Sequence, residues 1–233
     1  MTIGVGVIGC GGMGTWHAHN LAAQPQLHVA AVADAVPESA ARVATALGSR
    51  VMDGLDLIAD ADVDAVLVAS TDDTHAMYAV ATIEAGKPCF CEKPLGATLD
   101  QAQQVLDAEV AAGSLLTRVG FMRELDPAHA QVAAAAAALG PVTRVRSVHR
   151  NVDTAPRDID VIFSQSLIHD IHTIRWLTDA EFRRVTVYVA PRDDGFRDVL
   201  LVGEMDDGSL GIIDFEDHGF AYEVQVEVTA ADG

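Results

Sequence analysis

The chain is poor in cysteine, lysine and aromatic residues, and it has no long apolar run. Of 233 residues three are Cys (Cys10, Cys89, Cys91), two are Lys (Lys87, Lys93) and 5% are aromatic. An odd cysteine count without a Cys-x-x-Cys spacing supports neither a disulfide framework nor a zinc ribbon, and reduced thiols fit a cytoplasmic setting. No stretch approaches the ~18 apolar residues of a membrane span. No Lys or Arg precedes Arg42, so the N-terminus lacks the basic segment of a signal peptide. Positive charge is scarce throughout: 15 Lys and Arg stand against 34 Asp and Glu, a formal net charge of −19. Such a surface repels phosphate backbones and anionic headgroups, which argues against nucleic acid and membrane partners.

What is present suffices for a core. Half of the residues are hydrophobic and 21% charged, and the length corresponds to about one and a half domains of ~150 residues. Ile3–Ile8, 28–33, 65–69 and Cys89–Cys91 are short, apolar and bounded by Gly, Asp, Ser or Pro. That is how strands covered on both faces of a parallel sheet read. Helical patterns separate them: Pro37 and Gly48 frame one helix, and Thr98 with Gln101 forms a capping box for another that stops at Gly113. The alternation predicts a doubly wound α/β domain over residues 1–120.

A different grammar predicts a second, α+β domain over residues 121–233. Asp126-Pro127 opens an Ala-rich helix ending at Gly140, and a strand follows over 142–150. A helix over 166–177 precedes strands over 184–190, 199–205, 209–215 and 222–229. Strands without intervening helices point to an open, mainly antiparallel or mixed sheet.

Three clusters carry chemistry. Gly9-Cys10-Gly11-Gly12-Met13-Gly14 fits G-x-G-x-x-G between a predicted strand and helix, and Asp34 stands 20 residues after Gly14 at the end of the next strand. Gly9 makes the turn, Gly11 lets a pyrophosphate approach, Gly14 allows helix and strand to pack, and Asp34 is placed to bond a ribose 2′-hydroxyl. A carboxylate repels a 2′-phosphate and no Arg or Lys follows it before Arg42, so the expected cofactor is NAD. Cys91-Glu92-Lys93-Pro94 leaves the sheet at its carboxyl edge, where such sheets bind ligands. Gln165 and His169, four residues apart, share a face of the predicted helix. His17-x-His19 and His169 with His172 lack the spacing or partners of a metal site, and no metal is expected.

In this order the clusters resemble the glucose-fructose oxidoreductase, inositol dehydrogenase and MocA (Gfo/Idh/MocA) family, most of all its inositol dehydrogenase type. Further carriers are Thr74-His75, Val119-Gly120-Phe121-Met122-Arg123, Val148-His149-Arg150-Asn151, Ile168-His169-Asp170 with Arg175-Trp176-Leu177, and Tyr222-Glu223-Val224. The resemblance implies a Rossmann domain followed by a domain with an open sheet, and NAD-dependent oxidation of a secondary hydroxyl of a cyclitol or sugar held between the two. It implies Lys93 and His169 as the catalytic pair with Gln165 beside them. The implied cofactor residues are Gly9, Gly11, Gly12, Met13, Gly14, Asp34, Ser70, His75, Glu92 and Lys93, and the implied substrate residues Arg123, His149, Asn151 and Tyr222. A homo-oligomer, dimer or tetramer, formed through the C-terminal sheet is expected as well. Gln165 stands where the inositol type carries Asp, and family members continue past the strand near Val228, so a C-terminally incomplete chain is expected. The competing reading is a dinucleotide-binding paralogue or fragment without turnover.

Overall fold

Six apolar segments pair in parallel: β1 (Ile3–Ile8), β2 (Leu27–Ala33), β3 (Arg50–Val51), β4 (Ala65–Val68), β5 (Cys89–Cys91) and β6 (Thr117–Val119), in the order β3-β2-β1-β4-β5-β6. Between them run α1 (Gly12–Ala22), α2 (Pro37–Leu47), α3 (Gly54–Ala59), α4 (Asp72–Glu84) and α5 (Leu99–Ala112). This is the doubly wound order, in which the chain reverses direction across the sheet between β1 and β4 and opens a crevice at the carboxyl ends of the strands. Val7, Ile8, Val32, Val66 and Val68 are buried because helices cover both faces, which is why these strands show no polar alternation. The frames foreseen for two helices are present: Gly48 closes α2 with φ 69°, and Thr98 and Gln101 cap α5 reciprocally before Gly113 ends it with φ 65°.

The structure, a computed structural model, describes residues 2–232 and divides into two compact units, one ending at Gly120 and the other beginning at Phe121. The second unit carries α6 (Pro127–Ala137), β7 (Val142–Val152), α7 (Ile159–Ile162), α8 (Ile168–Thr178), β8 (Phe182–Pro191), β9 (Arg197–Met205), β10 (Leu210–Glu216) and β11 (His218–Ala230). Its sheet runs β11-β7-β10-β9-β8 and is mixed: β7 and β10 are parallel and every other neighbour is antiparallel. Val145, Val199, Leu201, Ile213 and Phe215 project from one face onto Ile162, Leu167 and Ile174 of the helical layer. Burying an apolar side chain of this size contributes roughly 1.5–3 kcal/mol, so this layer holds the unit together.

Two features differ from the sequence reading. The short strands β3 and β6 sit at the two edges of the parallel sheet, where two or three residues leave no periodicity to read. The helix expected over 166–177 starts earlier, as α7, and passes through a π turn at Phe163–Leu167 before α8. In that turn the Ile168 N–H reaches back to the Phe163 carbonyl, five residues away. Gln165 therefore lies in π geometry and His169 in the first turn of α8, so plain α-helical spacing does not describe the pair. Such insertions cluster at functional sites.

Candidate active site

The glycine loop closes the first unit's crevice. Gly9 has φ 97°, and a Cβ there would lie 2.2 Å from the Ala69 carbonyl; a Cβ on Gly14 would lie 1.8 Å from the Gly9 carbonyl. Both glycines are demanded by the protein's own packing. A Cβ on Gly11 or Gly12 would meet nothing within 4 Å. The protein itself leaves that space open, at the mouth of α1, whose first turn holds no acidic residue and whose N-cap Gly11 offers no side chain. An uncapped helix N-terminus behind a glycine cradle suits a pyrophosphate, so these residues fit a dinucleotide. Met13 follows on the first turn of α1 and is 53% exposed.

Asp34 follows β2 and folds back over the loop. Its Oδ2 accepts the Cys10 N–H at 2.6 Å and its Oδ1 the Val36 N–H at 2.7 Å, which fixes the carboxylate at the loop while leaving each oxygen capacity for a ribose hydroxyl. Arg42, eight residues further on α2, also returns: its Nη2 donates to the Cys10 carbonyl at 3.2 Å. The Cys10 thiol is buried, and that burial, with Asp34 nearby, pushes its pKa to about 11 against the pull of Arg42. Burial likewise pushes Cys89 to about 12 and raises Cys91, so all three cysteines are inert thiols.

At the end of β5, Glu92 bonds the His17 ring at 2.7 Å and the Lys93 N–H at 3.2 Å. Burial alone would raise its carboxyl, but those bonds and the neighbouring charges hold it below the usual carboxylate range. His17, whose spacing from His19 does not suit a metal, is thus the residue that anchors Glu92. His75 is 2% exposed; its Nδ1 lies 2.7 Å from the Pro94 carbonyl and its Nε2 3.1 Å from that of Ser70. Ser70 in turn bonds Thr74 at 2.7 Å. His75 therefore ties the turn after β4 to the turn that carries Lys93.

In the second unit the hub is Asp170, fully buried beside His169 in the chain. Its Oδ1 accepts from Arg123 at 2.5 Å and from Ser147 at 2.6 Å, and its Oδ2 bonds His149 at 2.7 Å. Burial pushes this carboxyl up, and the His149 bond with the Arg123 charge more than reverses it. His149 continues to Asn151 at 3.1 Å, whose amide donates to Asp153 and to Ser166 in the π turn. Ser166 also accepts from Arg157, which pairs with the buried Asp217. Of the four residues assigned to substrate, Arg123 and His149 are 4% exposed inside this network, Asn151 is half-buried, and Tyr222 is 61% exposed with its ring nearly perpendicular to that of His149. Asp170 enters the sequence analysis only as a letter of Ile168-His169-Asp170 and Ser147 not at all, because nothing local marks either as a hub. Among the described residues no group of three His, Cys, Asp or Glu is placed to hold a metal, and no helix is long and apolar enough to cross a membrane.

The parallel sheet order, the glycine cradle and Asp34 define a dinucleotide-binding protein of the Rossmann class. Residues 3–121 match the model of the oxidoreductase family with an NAD-binding Rossmann fold, Gfo/Idh/MocA, and the chain belongs to that family. It is similar to inositol 2-dehydrogenase 2 of Saccharopolyspora erythraea, with 40% identity over 98% of this chain and 71% of the relative. The inositol 2-dehydrogenase of Rubrobacter xylanophilus is 39% identical, over 99% of this chain and 70% of its own length. The crystal structure of myo-inositol dehydrogenase from Lactobacillus casei with NAD(H) and myo-inositol superposes with a TM-score of 0.93 at 28% identity, covering all of this chain and 73% of that one.

Proposed function

We propose that this chain is an NAD-dependent dehydrogenase that oxidises a secondary hydroxyl of a cyclitol, or of a sugar of like geometry. The observation that carries the reading is the glycine cradle: Gly11 and Gly12 face open space at an uncapped helix N-terminus, with the Asp34 carboxylate fixed beside it. Residues 1–120 serve as the NAD-binding domain and 121–233 as the domain for substrate and oligomer contacts. NAD, when bound, supplies the nicotinamide ring that accepts hydride from the alcohol carbon. The loop and α1 hold the pyrophosphate, Asp34 the ribose, and Met13, Ser70, His75, Glu92 and Lys93 border the remaining site. His169 takes the hydroxyl proton as general base. Lys93 donates to the same oxygen and stabilises its developing negative charge. Gln165 orients the His169 ring. Asn151 and Tyr222 meet the substrate's other hydroxyls, and Arg123 and His149 stiffen that wall through Asp170.

The exposed valines Val185, Val187 and Val189 along one face of β8 support a homo-oligomer, dimer or tetramer, through the second sheet. Three buried free thiols support a cytoplasmic setting. The test of function is NADH fluorescence titration joined to turnover with NAD on a panel of inositols and aldoses. Turnover with an inositol supports the reading; NADH binding with no turnover on the panel replaces it with a non-catalytic dinucleotide-binding protein.

A further inference from the structure

Arg42 is the first Lys or Arg in the chain, and tertiary folding brings it back to a loop 32 residues earlier. There it shares one residue with Asp34: the carboxylate holds the Cys10 N–H, and the guanidinium holds the Cys10 carbonyl at 3.2 Å. Both groups bear on the same thiol, Asp34 raising and Arg42 lowering its pKa, so a single residue's backbone separates an anion from a cation at this corner of the loop. Other basic residues of the first unit are spent differently: Arg50 pairs with Asp60, and Lys87 caps the carbonyls of Ile58 and Asp60. Arg42 is exposed and ends on a neutral carbonyl, leaving much of its donor fork outward.

We propose that Arg42 is a cation already placed beside the adenosine ribose, so that Asp34 alone bars a 2′-phosphorylated dinucleotide and Arg42 binds that phosphate once the carboxylate is gone. This rests on the reading of the loop as an NAD site. The chemistry follows from the two charges. A 2′-phosphate brought to the Asp34 carboxylate meets like charge and finds no donor there, while the planar guanidinium is the group best matched to a phosphate. With the carboxylate replaced by a hydroxyl, the ribose loses an acceptor pair and the phosphate gains a neutral neighbour and a nearby fork. Cofactor choice at this site is then set by a balance between two residues eight apart in sequence, one of which only tertiary folding brings to the loop.

The experiment is a binding cycle on the full chain: dissociation constants for NADH and NADPH, by nicotinamide fluorescence, in wild type, Asp34→Ser, Arg42→Ala and the double variant. Asp34→Asn, close to isosteric and still able to accept one of the two backbone bonds, repeats the first step should Asp34→Ser fail to fold. Wild type is expected to bind NADH well over tenfold more tightly than NADPH. Either Asp34 variant should weaken NADH and tighten NADPH about tenfold, the scale of one charge-assisted bond. Adding Arg42→Ala should remove that NADPH gain and its salt dependence while changing NADH less than about threefold. An Asp34 variant without the NADPH gain, or Arg42→Ala weakening both dinucleotides equally, makes Arg42 a strut of the loop and overturns the inference alone. A wild-type chain that binds neither dinucleotide overturns the reading of the loop itself.

Discussion

The ring of His75, on α4, lies between two backbone carbonyls, Nδ1 at 2.7 Å from that of Pro94 and Nε2 at 3.1 Å from that of Ser70. Through Pro94 it fixes the turn that presents Lys93. Buried carbonyls that lose a donor cost about 1–3 kcal/mol. His75→Ala is expected to lower unfolding free energy by about that amount in denaturant melts and to reduce turnover. His75→Gln, which keeps a donor, should recover part of both. Full stability in His75→Ala would mean that the two contacts carry no weight.

Gly14 and Gly11 are two letters of one motif but answer to different constraints. Gly14→Ala puts a methyl 1.8 Å from the Gly9 carbonyl and should destabilise the first unit by more than about 2 kcal/mol, seen as a lowered melting temperature. Gly11→Ala meets no protein atom within 4 Å and should leave melting nearly unchanged while weakening NADH binding tenfold or more. Equal effects on both measurements from both variants would dissolve this division.

The two lysines separate in the same manner. Lys87 donates to the carbonyls of Ile58 and Asp60 at 2.6 and 2.7 Å, closing the C-terminal end of α3. Lys87→Met should cost about 1–3 kcal/mol of stability and leave turnover of the folded fraction intact. Lys93→Met should leave NADH binding and melting nearly intact while kcat falls by roughly 10² or more, as expected for a donor aimed at developing charge. Near-normal kcat in Lys93→Met would make Lys93 a scaffold residue.

Asp170 ties the acid stability of the second unit to pH. Its carboxyl is buried, which pushes it up, but the His149 bond and the Arg123 charge hold it below the usual carboxylate range. A depressed folded value means its contribution is fully present above the unfolded value of ~3.9 and is lost as pH falls through the folded value. Asp170→Asn breaks a buried pair, at a cost of about 3–5 kcal/mol, and should flatten the fall in stability below pH ~4. Denaturant melts from neutral to acid pH measure both; an unchanged acid slope would remove Asp170 as its source.

In the proposed mechanism His169 becomes an imidazolium on taking the hydroxyl proton, and Gln165 supplies no charge to it. Asp in its place would favour the charged ring, raising the His169 pKa and strengthening the base. Gln165→Asp is expected to raise kcat/KM for oxidation several-fold and to move its acid limb to higher pH. Identical pH profiles for the two forms would show that residue 165 does not act on His169.

Much of this was legible along the chain because it depends on neighbours. Burial on both faces strips a strand of polar alternation, so β1, β2, β4 and β5 stood out. The capping box at Thr98 and the glycine spacing are local geometry, and they hold wherever the chain goes next. The pairs that build the site are of another kind. Arg42 reaches Cys10 across 32 residues, Arg123 meets Asp170 across 47, and His17 meets Glu92 across 75. Those separations are closed by strand order and helix packing, which no short pattern records. The π turn at Phe163–Leu167 belongs with them: its local composition reads as ordinary helix. Ser166, held there by Asn151 and Arg157, is fixed from strand β7 and the segment after it, so the register of the helix bearing His169 is a decision of the tertiary structure.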